Sequence, residues 1–220
     1  MITYFDKSYH LPVCKYRGRF ENIKFPCYVS LKLDGELQYI VKKGDTIFSV
    51  NKDKYGRVRK SYPALDEFAK LELQDGVYLA ELYWGDGRTK QEFYQFLSNK
   101  ASDELRLAIW GILQMEKNVM VDTDTTYRIL ADMKDKCKGF KYLSIVPFWY
   151  VRSKGMLIDL TNRILDEGWE GLVVRNKDAV YIDGQSVKWV KIKKKEREIG
   201  EKTKNGAKIN FKLKNYGVWM

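Results

Sequence analysis

The sequence has little cysteine, and what it has is scattered. Cys14, Cys27 and Cys137 are odd in number and far apart, which leaves neither a disulfide framework nor a CxxC zinc knuckle and fits a reducing, intracellular setting. No apolar run approaches the roughly 20 residues of a membrane span. The first residues carry Asp6, Lys7, His10 and Lys15 where a signal peptide would need its apolar core. The expectation is a soluble protein with no membrane partner. Also missing is a glycine-rich phosphate loop of either GxGxxG or GxxxxGKS/T form, so any phosphate would have to be held by side chains from other elements.

What is present is enough apolar material for a core and an excess of positive charge. The 220 residues are 45% hydrophobic, sufficient for one sizeable core or for one large and one small subdomain. Forty Lys and Arg stand against 29 Asp and Glu, a formal net charge of +11, which favours a polyanionic partner such as nucleic acid, with solubility alone as the plainer explanation. The charge is uneven. From Val187 to Met220 ten lysines and Arg197 face only Glu196, Glu198 and Glu201.

The stretch Tyr28–Val41 reads as a strand around an Asp-Gly break, and the strand period of two puts Lys32 and Asp34 side by side on one face. A lysine turned inward beside a carboxylate is a candidate nucleophile; an edge lysine in solvent is the bland alternative. The chain then turns at Lys42-Lys43-Gly44-Asp45 and returns through Thr46–Val50 as a hairpin. Asn51–Lys60 is a polar loop with Lys52, Lys54, Arg57 and Arg59 around Tyr55 and Gly56, suited to a phosphate backbone or simply solvated. A short helix is expected over Pro63–Leu71.

Gly76–Trp84 is another strand, and it carries Glu81 in strongly apolar company. A carboxylate there needs a cation, a metal, a sugar hydroxyl or a structural ion pair. A helix is expected over residues 89–99 and a strand over Leu105–Leu113, in which Trp110 offers either core packing or a flat face for a base. Helical spacing covers Asp122–Met133. Asp122 and Asp124 at its start suit the helix dipole and need not bind metal. Ser144–Val151 reads as a strand, and Leu157, Leu160, Ile164 and Leu165 line a helix ending at Gly168. The strand Trp169–Arg175 begins with Glu170. In Val187–Lys193, Lys191 and Lys193 share one face and Val190 and Ile192 the other. Two inward ammonium groups repel unless an anion lies between them, whereas a solvated edge would need none.

These motifs, in this order, resemble the nucleotidyltransferase domain of the covalent nucleotidyltransferase superfamily: ATP-dependent DNA ligases, RNA ligases and mRNA capping enzymes. Lys32-Leu33-Asp34-Gly35 matches the family's KxDG, Ser49-Val50-Asn51 falls at the next short motif, and the strand with Glu81 matches the third. Trp110 takes the place of the adenine-stacking aromatic, and Glu170–Arg175 and Lys191-Ile192-Lys193 match the last two motifs. The resemblance spans about residues 12 to 195 and is strongest to DNA ligases over Gly168–Lys193, where Tyr181, Gly184, Ser186 and Trp189 follow the ligase pattern.

The resemblance implies an α+β, ATP-grasp-like domain over residues 1–195, with largely antiparallel sheets flanked by helices and a nucleotide pocket between them. It implies Lys32 as the residue that takes AMP as a phosphoramidate. ATP and a divalent metal, magnesium or manganese, would be the cofactors, with Asp34, Glu81, Trp110, Lys191 and Lys193 around the nucleotide and Glu81 and Glu170 at the metal. The implied reaction is sealing of 5′-phosphate/3′-hydroxyl nicks in duplex DNA, in a cytoplasmic or DNA-associated enzyme. Leu37 replaces the arginine common in DNA ligases and resembles some RNA ligases; Gly111 replaces the aspartate common after the stacking aromatic. An RNA ligase is therefore the close alternative, with a capping-type guanylyltransferase and a non-catalytic nucleic acid-binding module behind it.

Only 27 residues follow Lys193, too few for the complete OB domain that the resemblance leads one to expect. A partner protein supplying that function is one expectation. The residues that follow, 196–220, read as a basic tail or docking segment. Lys194, Lys195, Arg197, Lys202 and Lys204 are expected to meet phosphates there, together with Lys52, Lys54, Arg57 and Arg59, and a flexible solubilising tail is the alternative.

Overall fold

Apolar β-branched and aromatic runs broken by Asp-Gly, Lys-Gly and Pro punctuation become strands in the computed structural model, which describes residues 12–51, 58–59, 62–84, 105–115 and 119–193. Thirteen strands and three α-helices lie among these residues, and the chain divides into two compact units. The architecture is mixed α+β, and the two larger sheets pair antiparallel except for one parallel strand pair.

The first unit comprises Asp34–Val146, Val180–Gly184 and the chain up to Cys14. Its sheet contains β3 (Glu36–Lys43), β4 (Thr46–Asn51), β5 (Val58–Arg59), β6 (Gly76–Trp84), β7 (Leu105–Met115), β8 (Val119–Met120) and β9 (Leu143–Ile145). The order is β5-β4-β3-β6-β7-β8, with β9 pairing β7 in parallel. Residues Val77 to Ala80 and Leu107 to Leu113 are buried without alternation, the signature of strands covered on both faces. Helix α1 (Pro63–Ala69) starts with proline, whose fixed φ suits the first helical position, and packs Phe68 edge-on against Tyr78, ring centroids 5.2 Å apart. Helix α2 (Thr123–Lys136) is capped by Asp122, whose Oδ1 accepts from Thr125 N at 2.7 Å, while Asp124 pairs with Arg128 at 3.6 Å. The two aspartates thus do what acids do at a helix start.

The second unit comprises Lys15–Leu33, Pro147–Ala179 and the chain from Gln185. Its sheet runs β10-β2-β11-β13, from β2 (Cys27–Leu31), β10 (Phe148–Val151), β11 (Gly171–Asn176) and β13 (Trp189–Lys193). Helix α3 (Lys154–Asp166) is capped by Ser153 Oγ and buries Leu157, Leu160, Ile164 and Leu165, the four residues that its periodicity singles out. Gly168 follows at φ +85°, the left-handed turn with which helices commonly end. Strands β1 (Cys14–Tyr16) and β12 (Gly184–Ser186) form a separate two-stranded sheet.

Two expected strands are each divided. Tyr28–Val41 is not one strand with Lys32 and Asp34 on a shared face: β2 ends at Leu31, β3 begins at Glu36, and the two belong to different sheets. Lys32 and Asp34 accordingly fall in different units. The Asp-Gly break lies between the two strands, and a Cβ at Gly35 would fall on the carbonyl of Leu82, so glycine lets the chain enter β3 this close to β6. Ser144–Val151 divides in the same way into β9 and β10 on either side of Val146-Pro147, since proline has no N–H to continue a ladder. The expected helix over 89–99 lies outside the described residues. So do Lys52, Lys54, Arg57, Lys194, Lys195, Arg197, Lys202 and Lys204, while Arg59 pairs with Ser49 in the β4–β5 ladder.

Candidate active site

In the second unit, register decides which side chains meet. Pairing β11 with β13 sets Gly171 opposite Lys193, Val173 opposite Lys191 and Arg175 opposite Trp189. Directly opposed residues share a face, so both lysines project from one side of the sheet while Val190 and Ile192 are buried on the other. Lys32 follows β2 directly, and its backbone N–H donates to Gly171 O at 2.9 Å. Gly171 holds φ +149°, and a Cβ there would fall on the Ile192 carbonyl, so glycine allows the chain entering β11 to lie this close to β13.

Glu170, one residue before that glycine, gathers the cations. Lys32 Nζ donates to its Oε2 at 2.5 Å and Lys193 Nζ to its Oε1 at 2.6 Å. The side chains are 18%, 25% and 32% exposed for Lys32, Glu170 and Lys193, so the group is partly shielded yet open to a ligand. Burial alone would raise the Glu170 carboxyl, but the hydrogen bonds and charges of Lys193 and Lys32 outweigh it and hold the group below the usual carboxylate range. Lys191 is positioned differently. Its Nζ lies 4.3 Å from the centre of the Tyr16 ring.

The first unit carries Asp34, Glu81 and Trp110. Asp34 is exposed. Glu81 stands opposite Leu37 in the β3–β6 ladder, and its Oε1 accepts the Gly35 N–H at 3.1 Å, which ties the end of the Lys32-Leu33-Asp34-Gly35 segment to β6. Trp110 is 8% exposed and tilted against Tyr181, centroids 5.8 Å apart. The Tyr181 hydroxyl accepts from Cys14 N at 3.2 Å, and burial raises its pKa above the ordinary phenol value.

Sequence reasoning missed a buried polar cluster beside this segment. Glu36 accepts from Asn51 Nδ2 and Gln38 Nε2, each at 2.9 Å, and all three residues are buried. The period of β3 puts Glu36 and Gln38 on one face, and register puts Asn51 opposite Gln38. That pairing was the available signal. Sequence reasoning also missed Tyr16, which no local pattern connects to Lys191.

No group of three or more His, Cys, Asp or Glu side chains converges among the described residues. A magnesium ion accompanying a triphosphate needs only one or two protein carboxylates. The Glu170 carboxylate is a hard oxygen donor of the required kind, and in this structure its two oxygens accept from Lys32 and Lys193.

The fold so defined is that of a nucleotidyltransferase domain. Solved structures with this fold include DNA ligases. One titled Pmar-Lig_PreS3 superposes with a TM-score of 0.66 at 12% identity, over 83% of this chain and 46% of the other. A Lig E DNA ligase, described as binding DNA with a minimal scaffold, gives 0.59 at 18% identity, over 84% of this chain and 69% of the other. The ATP-dependent DNA ligase of bacteriophage T7 in complex with ATP gives 0.58 at 18%, over 83% and 68%. The chain therefore spans less than half the length of Pmar-Lig_PreS3. No protein-family model matches the sequence, and no curated protein does.

Proposed function

We propose that this chain is the nucleotidyltransferase of an ATP-dependent polynucleotide ligase that seals 5′-phosphate/3′-hydroxyl nicks in duplex DNA. The observation that carries the reading is the Lys32–Glu170–Lys193 cluster on the lysine-bearing face of its sheet, in a fold shared with ATP-dependent DNA ligases. Lys32 is the nucleophile. Its ammonium must part from Glu170 and lose its proton before the Nζ lone pair can bond to the α-phosphorus of ATP. As the P–N bond forms, the bond from the α-phosphorus to the bridging oxygen breaks and pyrophosphate leaves. An oxygen of the polynucleotide 5′-phosphate then displaces Lys32 from AMP. The 3′-hydroxyl oxygen finally attacks that 5′-phosphorus and releases AMP.

Lys191 and Lys193 would stabilise the charge that develops on the phosphate oxygens, and Glu81 and Trp110 would bind ribose and adenine. Asp34 would orient groups beside the nucleophile. Glu170 would bind magnesium, with Glu81 holding a metal as the alternative to ribose, and the ion would supply further positive charge to the phosphates. The basic residues Lys52, Lys54, Arg57, Arg59, Lys194, Lys195, Arg197, Lys202 and Lys204 would contact the phosphate backbone. Neutralising the last five together is expected to lower nucleic acid affinity and flatten its dependence on salt while self-adenylylation continues.

Leu37 favours RNA ends as the second reading. End-labelled nicked duplex DNA, nicked duplexes containing RNA, and single-stranded RNA, each with ATP and with Lys32→Ala as the control, separate the two. Joining of all-DNA nicks supports the first reading. Joining confined to RNA 3′-hydroxyl ends would replace it with the second, and tight binding without any joining would leave a binding module.

A further inference from the structure

The tryptophans described in the second unit are not alike. Trp189 is buried, with Tyr16 stacked on it at 5.2 Å between ring centroids and the Arg175 guanidinium 4.6 Å from its ring centre. Trp149 has the Arg163 guanidinium 6.0 Å from its ring. Trp169 is 44% exposed and makes no ring stack or cation contact among the described residues. Its backbone is fixed all the same. Trp169 N donates to Ile164 O and Gly168 N to Leu165 O, each at 3.2 Å, the paired bonds of a Schellman helix end with Gly168 in the left-handed turn. An apolar residue at this position commonly packs on the helix it closes. Here Ile164 is already buried, and nearly half of the tryptophan stays in solvent.

A single exposed apolar side chain needs no explanation; the place of this one does. Trp169 stands one residue before Glu170, which takes Lys32 and Lys193. Two ammonium groups and one carboxylate leave that cluster with a net positive charge. A ligand that suits both neighbours is an anion carrying a ring, which describes a nucleotide. In the sequence of steps given above, an oxygen of the polynucleotide 5′-phosphate attacks the phosphorus bonded to Lys32. That phosphate must therefore reach the Lys32–Glu170 cluster, and its own nucleoside arrives beside it. We propose that Trp169 packs its exposed ring against the nucleoside that carries the 5′-phosphate, and so holds the polynucleotide end that is to receive AMP. The role rests on the functional reading above and concerns the polynucleotide alone, since adenine is assigned there to Trp110.

Binding of the full chain to nicked duplex DNA and to single-stranded RNA, both 5′-phosphorylated, is measured by fluorescence anisotropy without ATP over a series of salt concentrations. Trp169→Ala should weaken binding to at least one of them roughly five- to tenfold, the low end for loss of an aromatic stack, and Trp169→Phe should recover most of the loss. No charge is removed, so the slope of log affinity against log salt should stay that of the parent, whereas Lys193→Ala should flatten it. Self-adenylylation of Trp169→Ala should keep the parent rate. Thermal melts identify any loss of folding in the alanine variant. Trp169→Leu, which keeps an apolar residue on the helix end and removes the ring, decides the matter if alanine is not tolerated. Equal affinity for both probes in folded leucine and phenylalanine variants would show that the ring serves only the fold, and would overturn the proposal. So would a flattened salt slope in Trp169→Ala, which would mean that the loss acts through the lysines of Glu170. A parent chain that adenylylates itself and binds neither probe would overturn it as well. A parent chain that never adenylylates itself would instead contradict the nucleotidyltransferase reading, and the binding comparison, which needs no ATP, would still decide the role of Trp169.

Discussion

In the unit built on β3 to β9, carboxylates are gripped by N–H donors: Glu67 accepts the backbone N–H groups of Lys141, Tyr142 and Leu143 at 2.7 to 2.8 Å, and Asp75 accepts Gly44 N at 2.9 Å and Lys42 Nζ at 3.1 Å. In the unit built on β2, β10, β11 and β13, cations rest on rings. Lys154 lies over Phe20, Arg163 over Trp149, Arg175 over Trp189, Lys177 over Tyr150 and Lys191 over Tyr16. The division is not absolute, because Arg106 and Lys141 both approach the Tyr142 ring in the first unit. The difference still has a physical meaning. A carboxylate that collects backbone N–H groups locks loop to helix, whereas a cation on a ring is drawn to an aromatic face. The second unit also sets acids among its cations: Glu170 takes Lys32 and Lys193, and Asp178 takes Lys188.

The largest test removes a ring. Trp189→Ala strips the support from both Tyr16 and Arg175 and should cost about 3–5 kcal/mol of unfolding free energy by denaturant titration; a change below about 1 kcal/mol would mean that the stack is incidental. Next is the carboxylate device of the other unit. Glu67→Ala leaves three backbone donors to find new partners and should cost about 2–3 kcal/mol, with part of the loss recovered in Glu67→Gln, which keeps an acceptor oxygen. If instead the glutamine variant equals alanine, charge rather than hydrogen bonding is what Glu67 contributes.

Acid should distinguish Glu170 from the ring-held cations. Its carboxyl lies below its ordinary value in the folded chain, so its contribution to stability is present above the ordinary carboxylate range and is lost as pH falls through the lowered value. Glu170→Gln should flatten that acid limb of the stability curve, and an unchanged limb would contradict the ion-pair assignment. The smallest effect is expected at Lys177, over the partly exposed Tyr150. Lys177→Ala should move stability by no more than about 0.5 kcal/mol. A larger loss would show that ring-held surface cations carry structural energy as well as charge.

Much of this was legible because motifs are local. The run around Glu81, the alternation of Lys191 and Lys193 with Val190 and Ile192, and the apolar stripe of α3 each follow from a period within one element. Glu170 takes Lys193, one of that lysine pair, together with Lys32, and the Lys191 ammonium lies by the Tyr16 ring. The splits at Asp34-Gly35 and Val146-Pro147 were not legible, since a strand that leaves one sheet and another that enters the next share composition and period. The contact of Tyr16 with Trp189 joins segments far apart in the chain, and that of Glu36 with Asn51 depends on the register of the β3–β4 hairpin. Periodicity says which face a side chain takes; only register says what it meets there.

The central claim is that Lys32 forms a covalent bond to AMP, and intact mass measures it directly. After incubation with ATP and magnesium the chain should gain the mass of one AMP, with loss of the adduct in Lys32→Ala and retention of the fold by circular dichroism. An adduct that persists in Lys32→Ala, or a parent chain that binds ATP and never gains the mass, would contradict the account.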